Sequence, residues 1–326
     1  MGRPGTGRAH RAVARRTGLR RARHRPPARP GRHLNRSLHR ALLGPSLGLL
    51  LSLLPAAAWA KETLTWLLRD LPPLTIFEGP ERGQGAVDQM LAVLIKNMPE
   101  YEHSITRVNR ARALQVLQGN SFACDPTLLW TPERARYIVF SMPSMGTLSN
   151  GLILGSAQRG LLEPFMKDGE ADLKALLDSR TIKLGLVAER SYSTPIDDIV
   201  KQAPAESLSR HYGDNAVASL LQMQQLGRLQ MVLGYWPEIR YLGAQQGLAA
   251  QTLSYVPIRG VARYQFVHVG CSDTELGREA VRHVNQLLQE LRKETLPPMY
   301  ARWLDAASKD EYLRDSHGFF VGHERQ

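Results

Sequence analysis

The first sixty residues of this 326-residue chain contain no aspartate, no glutamate and no lysine, although they carry thirteen arginines. The formal net charge of the whole chain is +12. Beyond residue 60 it falls to −1, with 29 basic side chains against 30 acidic ones. The basic excess is thus confined to one end, and aromatic residues are not interleaved with basic runs. That pattern gives no support to a nucleic-acid partner. Cysteine is nearly absent: only Cys124 and Cys271 occur. In an oxidising compartment such a pair forms one structural disulfide or stays as two buried thiols, and the spacing does not decide between them.

Several catalytic signatures are also missing. There is no G-x-S-x-G, no phosphate-binding P-loop, no G-x-G-x-x-G, no H-E-x-x-H and no C-x-x-C. The six histidines after residue 60 are scattered without metal-ligand spacing. No enzyme activity, cofactor or metal site is expected.

What is present begins with an apolar stretch of 14 residues, 41–54, which follows the arginine-rich segment and ends in Pro55-Ala56-Ala57-Ala58-Trp59-Ala60. A basic flank, a short apolar core and a small-x-small ending form a secretory signal, with cleavage expected between Ala60 and Lys61 and a periplasmic destination. The core is too short to span a bilayer of roughly 30 Å.

After residue 60, apolar strands alternate with amphipathic helices. Thr63–Leu68 reads as a buried strand stopped by Pro72-Pro73. Apolar residues at 87, 90, 91, 94, 95 and 98 have helical spacing. Short strands are expected at 121–124, 137–140, 151–155, 182–188, 230–233 and 264–270. The longest amphipathic helix is expected over 273–292, capped by Asp273 or Thr274, and a last one over 297–304. Such alternation predicts an α/β fold with largely parallel sheets flanked by helices.

An ordered set of motifs runs through the first half. It comprises the strand ending in Leu71-Pro72-Pro73, then Gly85-Ala86-Val87-Asp88, then Arg112-Ala113-Leu114-Gln115-Val116-Leu117-Gln118-Gly119. Thr131-Pro132-Glu133-Arg134 follows, and then Phe140-Ser141-Met142-Pro143. In order and spacing these residues resemble the family 3 extracellular solute-binding proteins, from about residue 63 to 315. The resemblance implies a type II periplasmic binding protein fold: two α/β lobes, residues 61–150 with 260–315 and residues 151–259, followed by a tail at 316–326. It further implies closure on a small-molecule solute, and a monomer that serves a membrane permease or a sensor receptor. In that fold the strand returning to the first lobe lies beside the third strand, which implies a disulfide between Cys124 and Cys271.

The resemblance also implies a site. Arg134 of T-x-E-R would hold a ligand carboxylate with its guanidinium fork, beside Thr131. Trp130 would floor the pocket or fill core. In the second lobe, Arg190, Ser191 and Tyr192 occupy the turn that carries a G-T-T pattern in the amino-acid binders, and the glycine is missing. Tyr235 or a close neighbour stands where those binders carry the aspartate for an α-ammonium, with Glu238 three residues on. A free α-amino acid therefore fits poorly, and a small polar or anionic solute fits better. Two alternatives stay open: an interaction or assembly factor of the same fold with a vestigial cleft, and a cell-envelope hydrolase.

Overall fold

A computed structural model describes residues 60–213 and 215–320. The expected export signal falls on residues 1–59, outside the described residues. In chain order the elements are β1 (Thr63–Leu68), α1 (Ala86–Lys96), β2 (Glu102–Arg107), α2 (Arg110–Leu117), β3 (Ala123–Leu129), β4 (Ile138–Phe140), β5 (Met145–Leu148) and β6 (Gly151–Gly155). Then follow β7 (Met166–Lys167), β8 (Glu170–Ala171), α3 (Leu173–Asp178), β9 (Leu184–Val187), α4 (Ile196–Gln202), β10 (Leu208–His211), α5 (Ala216–Gln225), β11 (Met231–Gly234) and α6 (Trp236–Gln245). The chain continues with β12 (Leu253–Val256), β13 (Tyr264–Ser272), α7 (Glu275–Glu294), α8 (Leu296–Ala301) and α9 (Ala306–Ser316). Among the described residues no helix is long and apolar enough to cross a membrane.

Two mixed sheets organise these elements into two lobes. In the first, the order is β2-β1-β3-β13-β4, with β5 also paired to β13. β1 runs parallel to β2 and β3, whereas β13 is antiparallel to β3, β4 and β5. In the second the order is β10-β9-β11-β6-β12. The chain passes between the sheets at residues 149–150 and again at 257–263. β1 carries a near-continuous apolar run because helices cover both faces of its sheet, leaving no solvent face for polar residues.

Local choices in the sequence fix the element ends. The Asp88 carboxylate accepts hydrogen bonds from the Ile76 and Gly85 amides, tying the segment after Pro72-Pro73 to the start of α1. Gly85 is required there for a close approach: a Cβ would lie 2.3 Å from the Leu74 carbonyl oxygen. The Thr274 hydroxyl accepts from the Gly277 amide and starts α7, as capping residues do.

Cys124 and Cys271 sit directly opposite each other on antiparallel β3 and β13 and are joined in a disulfide. The strand holding Cys124 differs from the expected one. β3 runs to Leu129, and all seven of its residues are buried, including Asp125, Pro126 and Thr127. A polar pair and a proline break the apolar run in sequence, yet their polar atoms are satisfied internally, so the strand continues. β5, β10, β12 and α9 were not expected either. The strands have four residues each, and α9 follows the helix expected to be last. It docks through Tyr312, which is buried, contacts Tyr264, Tyr300 and Phe319, and donates to the Gly146 carbonyl.

Candidate functional site between the two lobes

A cavity of about 490 Å³ lies between the sheets. Its first wall comes from the end of β1 (Arg69, Asp70, Pro72), the loop before α1 (Ile76, Phe77, Glu78) and the start of α2 (Asn109, Arg110, Ala111). Its second wall comes from the turn after β9 (residues 187–190), the start of α5 and one face of α6, including Glu238 and Tyr241. The cavity sits at the carboxyl ends of β1 and β9. Open α/β sheets place their ligands there, because the connecting loops diverge at that edge.

Arginines dominate the chemistry. Arg69, at the end of β1, is buried and donates from Nε to an Asp125 carboxylate oxygen at 3.2 Å and from a terminal nitrogen to the Thr127 carbonyl at 2.9 Å. It also donates to the Thr127 hydroxyl. Thr127 in turn donates its amide and hydroxyl to Asp125, at 2.8 and 2.6 Å. A buried charge survives only when paired and fully bonded, and this group meets that condition.

On the second wall Arg190 and Glu238 form a bidentate pair at 2.6 and 2.8 Å, with side chains only 6% and 5% exposed. Burial opposes the arginine's charge, but the ion pair and hydrogen bonds of Glu238 outweigh it and hold the pKa above its ordinary value. Tyr192 is buried, and its hydroxyl accepts from the Val187 amide at 2.8 Å. Burial pushes its phenol up to about 12. The Ser191 hydroxyl donates to Asp197 at 2.6 Å, and the other Asp197 oxygen accepts from the Tyr192 amide at 2.7 Å.

Of the seven side chains expected to hold the ligand, Arg190 lines this cavity. Tyr235 lines a small neighbouring one of about 30 Å³, together with Pro72, Pro73 and Tyr300. Arg134 is buried and turned inward, donating to the Leu129 carbonyl at 3.0 Å. Burial, then the nearby Arg69, lower its pKa. The Thr131 hydroxyl accepts from the Arg134 amide. Ser191 and Tyr192 serve the turn at 191–197, and Trp130 is 52% exposed outside the cavity. Glu238 does reach the cavity, but its carboxylate is engaged by Arg190.

Arg110 is the residue that sequence reasoning missed. It is half-buried, lines the cavity, and makes no ion pair or hydrogen bond among the described residues. Burial first, then the charges of Arg69, Arg190 and Arg134, hold its pKa well below the ordinary arginine value. A signal was present in the sequence. Arg110 opens α2, where the helix dipole disfavours a cation, and a locally poor choice often marks a functional position. Among the described residues no cluster of three or more His, Cys, Asp or Glu side chains could hold a metal ion.

No protein-family model matches the chain, and no curated protein sequence matches it. Solved structures do. A histidine kinase sensor domain with similarity to periplasmic binding proteins superposes with a TM-score of 0.57 at 16% identity, covering 75% of this chain and 96% of its own. An ancestral arginine-binding protein bound to arginine gives 0.56 at 15% identity, covering 75% and 99%. A structure concerned with glutathione import via GshT and the cystine ABC importer TcyBC of Streptococcus mutans gives 0.58 at 12% identity, covering 77% and 99%. At such identities the likeness establishes architecture alone, and the architecture agrees with the sheet order and the cleft described above. The chain has the two-lobed α/β fold of the periplasmic binding proteins.

Proposed function

We propose that this protein is an exported solute-binding protein that closes its two lobes on a small polar or anionic solute and presents it to a membrane permease or a sensor receptor. The observation that carries this reading is the cavity of about 490 Å³ bounded by both lobes and lined by charged groups from each. A pocket of that size suits a small organic molecule. A ligand touching both walls favours the closed arrangement by its differential contacts, which is how binding energy becomes lobe closure. No covalent step is invoked. The neighbours in fold include proteins that bind amino acids and a sensor domain, which supports a solute-binding role without fixing the solute.

The lobes in this reading are residues 61–150 with 260–315 and residues 151–259. The signal before Lys61 directs export to the periplasm, and the protein acts there as a monomer. Arg190 and Tyr235 contribute to the site, whereas Arg134, Thr131, Ser191 and Tyr192 shape the backbone around it.

The test is a thermal-shift screen of the protein purified from the periplasm against amino acids, small carboxylates, peptides and aromatic acids. A solute at a hundred times its Kd adds about 2.7 kcal/mol, a rise of roughly 5–10 °C for a protein of this size. A flat screen across every class would favour an interaction factor with a vestigial cleft.

A further inference from the structure

We infer that the solute carries a carboxylate and that Arg110, not Arg134, is the residue that receives it. This rests on the solute-binding reading above. Four arginines are close enough to act on one another electrostatically: Arg69, Arg110, Arg134 and Arg190. Three are engaged by groups within the protein. Asp125 and Thr127 hold Arg69, the Leu129 carbonyl takes Arg134, and Glu238 takes Arg190. Arg110 alone of the four is left without a partner among the described residues, and it faces the cavity. A half-buried guanidinium surrounded by other guanidiniums is unfavourable unless a counter-charge arrives. The cavity is where one can arrive.

A second observation points the same way. Two helices of eight and ten residues, α2 and α5, both begin at this cavity: Arg110 and Ala111 open α2, and Ala216 and Val217 open α5. Helix N-termini carry partial positive charge, which remains here although the Asn109 side chain takes the Arg112 amide at the start of α2 and the Ala216 amide bonds the Gly213 carbonyl. One free guanidinium and two such ends converging on one space make an anion receptor spanning both lobes. Asp70 and Glu78 already pair with Arg107, and Glu238 pairs with Arg190. Glu189 is the remaining carboxylate of the lining, exposed and without a partner among the described residues, and is the internal rival for Arg110.

The probes are succinate, benzoate and N-acetyl-dialanine, each titrated calorimetrically against its uncharged amide: succinamide, benzamide and N-acetyl-alanylalaninamide. The expected result is that at least one carboxylate binds and its amide binds far more weakly. Arg110→Gln, with a native circular dichroism spectrum, should weaken the carboxylate about 10- to 100-fold, the usual worth of a charged hydrogen bond. Glu189→Gln, which removes the internal rival, should tighten carboxylate binding. A carboxylate that binds equally well to Arg110→Gln, or no better than its amide, overturns the inference and leaves the solute-binding reading standing.

Failure of every probe in both charge states removes the two together. Phenylglyoxal labelling read by peptide mass mapping gives an independent measure. Arg110 should be modified ahead of Arg69, Arg134 and Arg190, and the bound carboxylate should protect it. Earlier labelling of any of those three overturns the assignment.

Discussion

The two walls of the cleft are built on the same device and differ in what is left over. Each carries an arginine locked by a buried carboxylate, Arg69 by Asp125 in the first lobe and Arg190 by Glu238 in the second. In the second lobe Glu238 neutralises Arg190 with both oxygens, and Glu189 is left as an exposed carboxylate. In the first lobe Arg110 remains in excess. The guanidinium left for a solute therefore belongs to the first wall, and the second adds the start of α5 and the Glu189 carboxylate. A binding cleft need not divide its polar work evenly. One wall can hold its buried arginine in an internal ion pair while the other leaves a guanidinium for the solute to meet.

The sharpest way to break this comparison is to remove one carboxylate from each wall. Glu238→Ala strands Arg190 in a site where it is almost fully buried, and should cost about 3–5 kcal/mol, read by urea denaturation. Asp125→Ala should cost a similar amount by stranding Arg69. The double change Arg190→Met with Glu238→Leu should recover most of the loss, since replacing a buried pair by apolar groups is often neutral or better. If the single changes are silent, the walls are not built on these pairs. Next in size is the disulfide, whose closed loop spans 147 residues. Cys124→Ser with Cys271→Ser should lower stability by about 2–4 kcal/mol, with roughly 4–5 as the ceiling of the chain-entropy argument.

Smaller effects sharpen the comparison further. Tyr192→Phe removes the hydroxyl that accepts from the Val187 amide and should cost about 1–2 kcal/mol through the unpaired donor. The first lobe also holds His268, whose neutral ring nitrogen lies 2.8 Å from the Ser141 carbonyl. Burial lowers its pKa below the ordinary value of 6.5. The unfolded chain therefore takes up this proton first. Stability is fully present above about pH 6.5 and falls as the pH drops below it. A His268→Gln variant should show a shallower loss of melting temperature between pH 7 and 5. Trp130→Ala, at an exposed position away from such features, should shift stability by no more than about 0.5 kcal/mol.

Much of this fold can be read from the chain because its signals are local. Periodic apolar residues in α1, the Gly85 and Asp88 pair, and the Thr274 cap each act within a few residues of themselves. The T-x-E-R and F-S-x-P segments sit in order and match the architecture. The site was less legible for a physical reason: what an arginine does depends on which carboxylates reach it. Arg134 donates one nitrogen to a carbonyl five residues back, and Arg190 is answered by a glutamate 48 residues on. Arg69 is answered from the middle of β3, where Asp125 and Thr127 look in sequence like a break in the strand. Arg110 carries one local signal, a cation at the start of α2, and stands out only once the partners of the other three arginines are seen.

The route of the chain through the first sheet has a consequence for how the protein is made. β13 is the strand between β3 and β4, and it is reached only after the whole second sheet has been laid down. A nascent chain emerging amino end first can complete the second sheet from one contiguous stretch. The first sheet has to wait with a gap at its centre, and Cys124 waits as a free thiol. A chain that stops before β13 keeps every motif of the first half, yet it can neither fill that gap nor oxidise Cys124 with its own partner. The thiol state of Cys124 is thus a built-in record of whether synthesis passed β13.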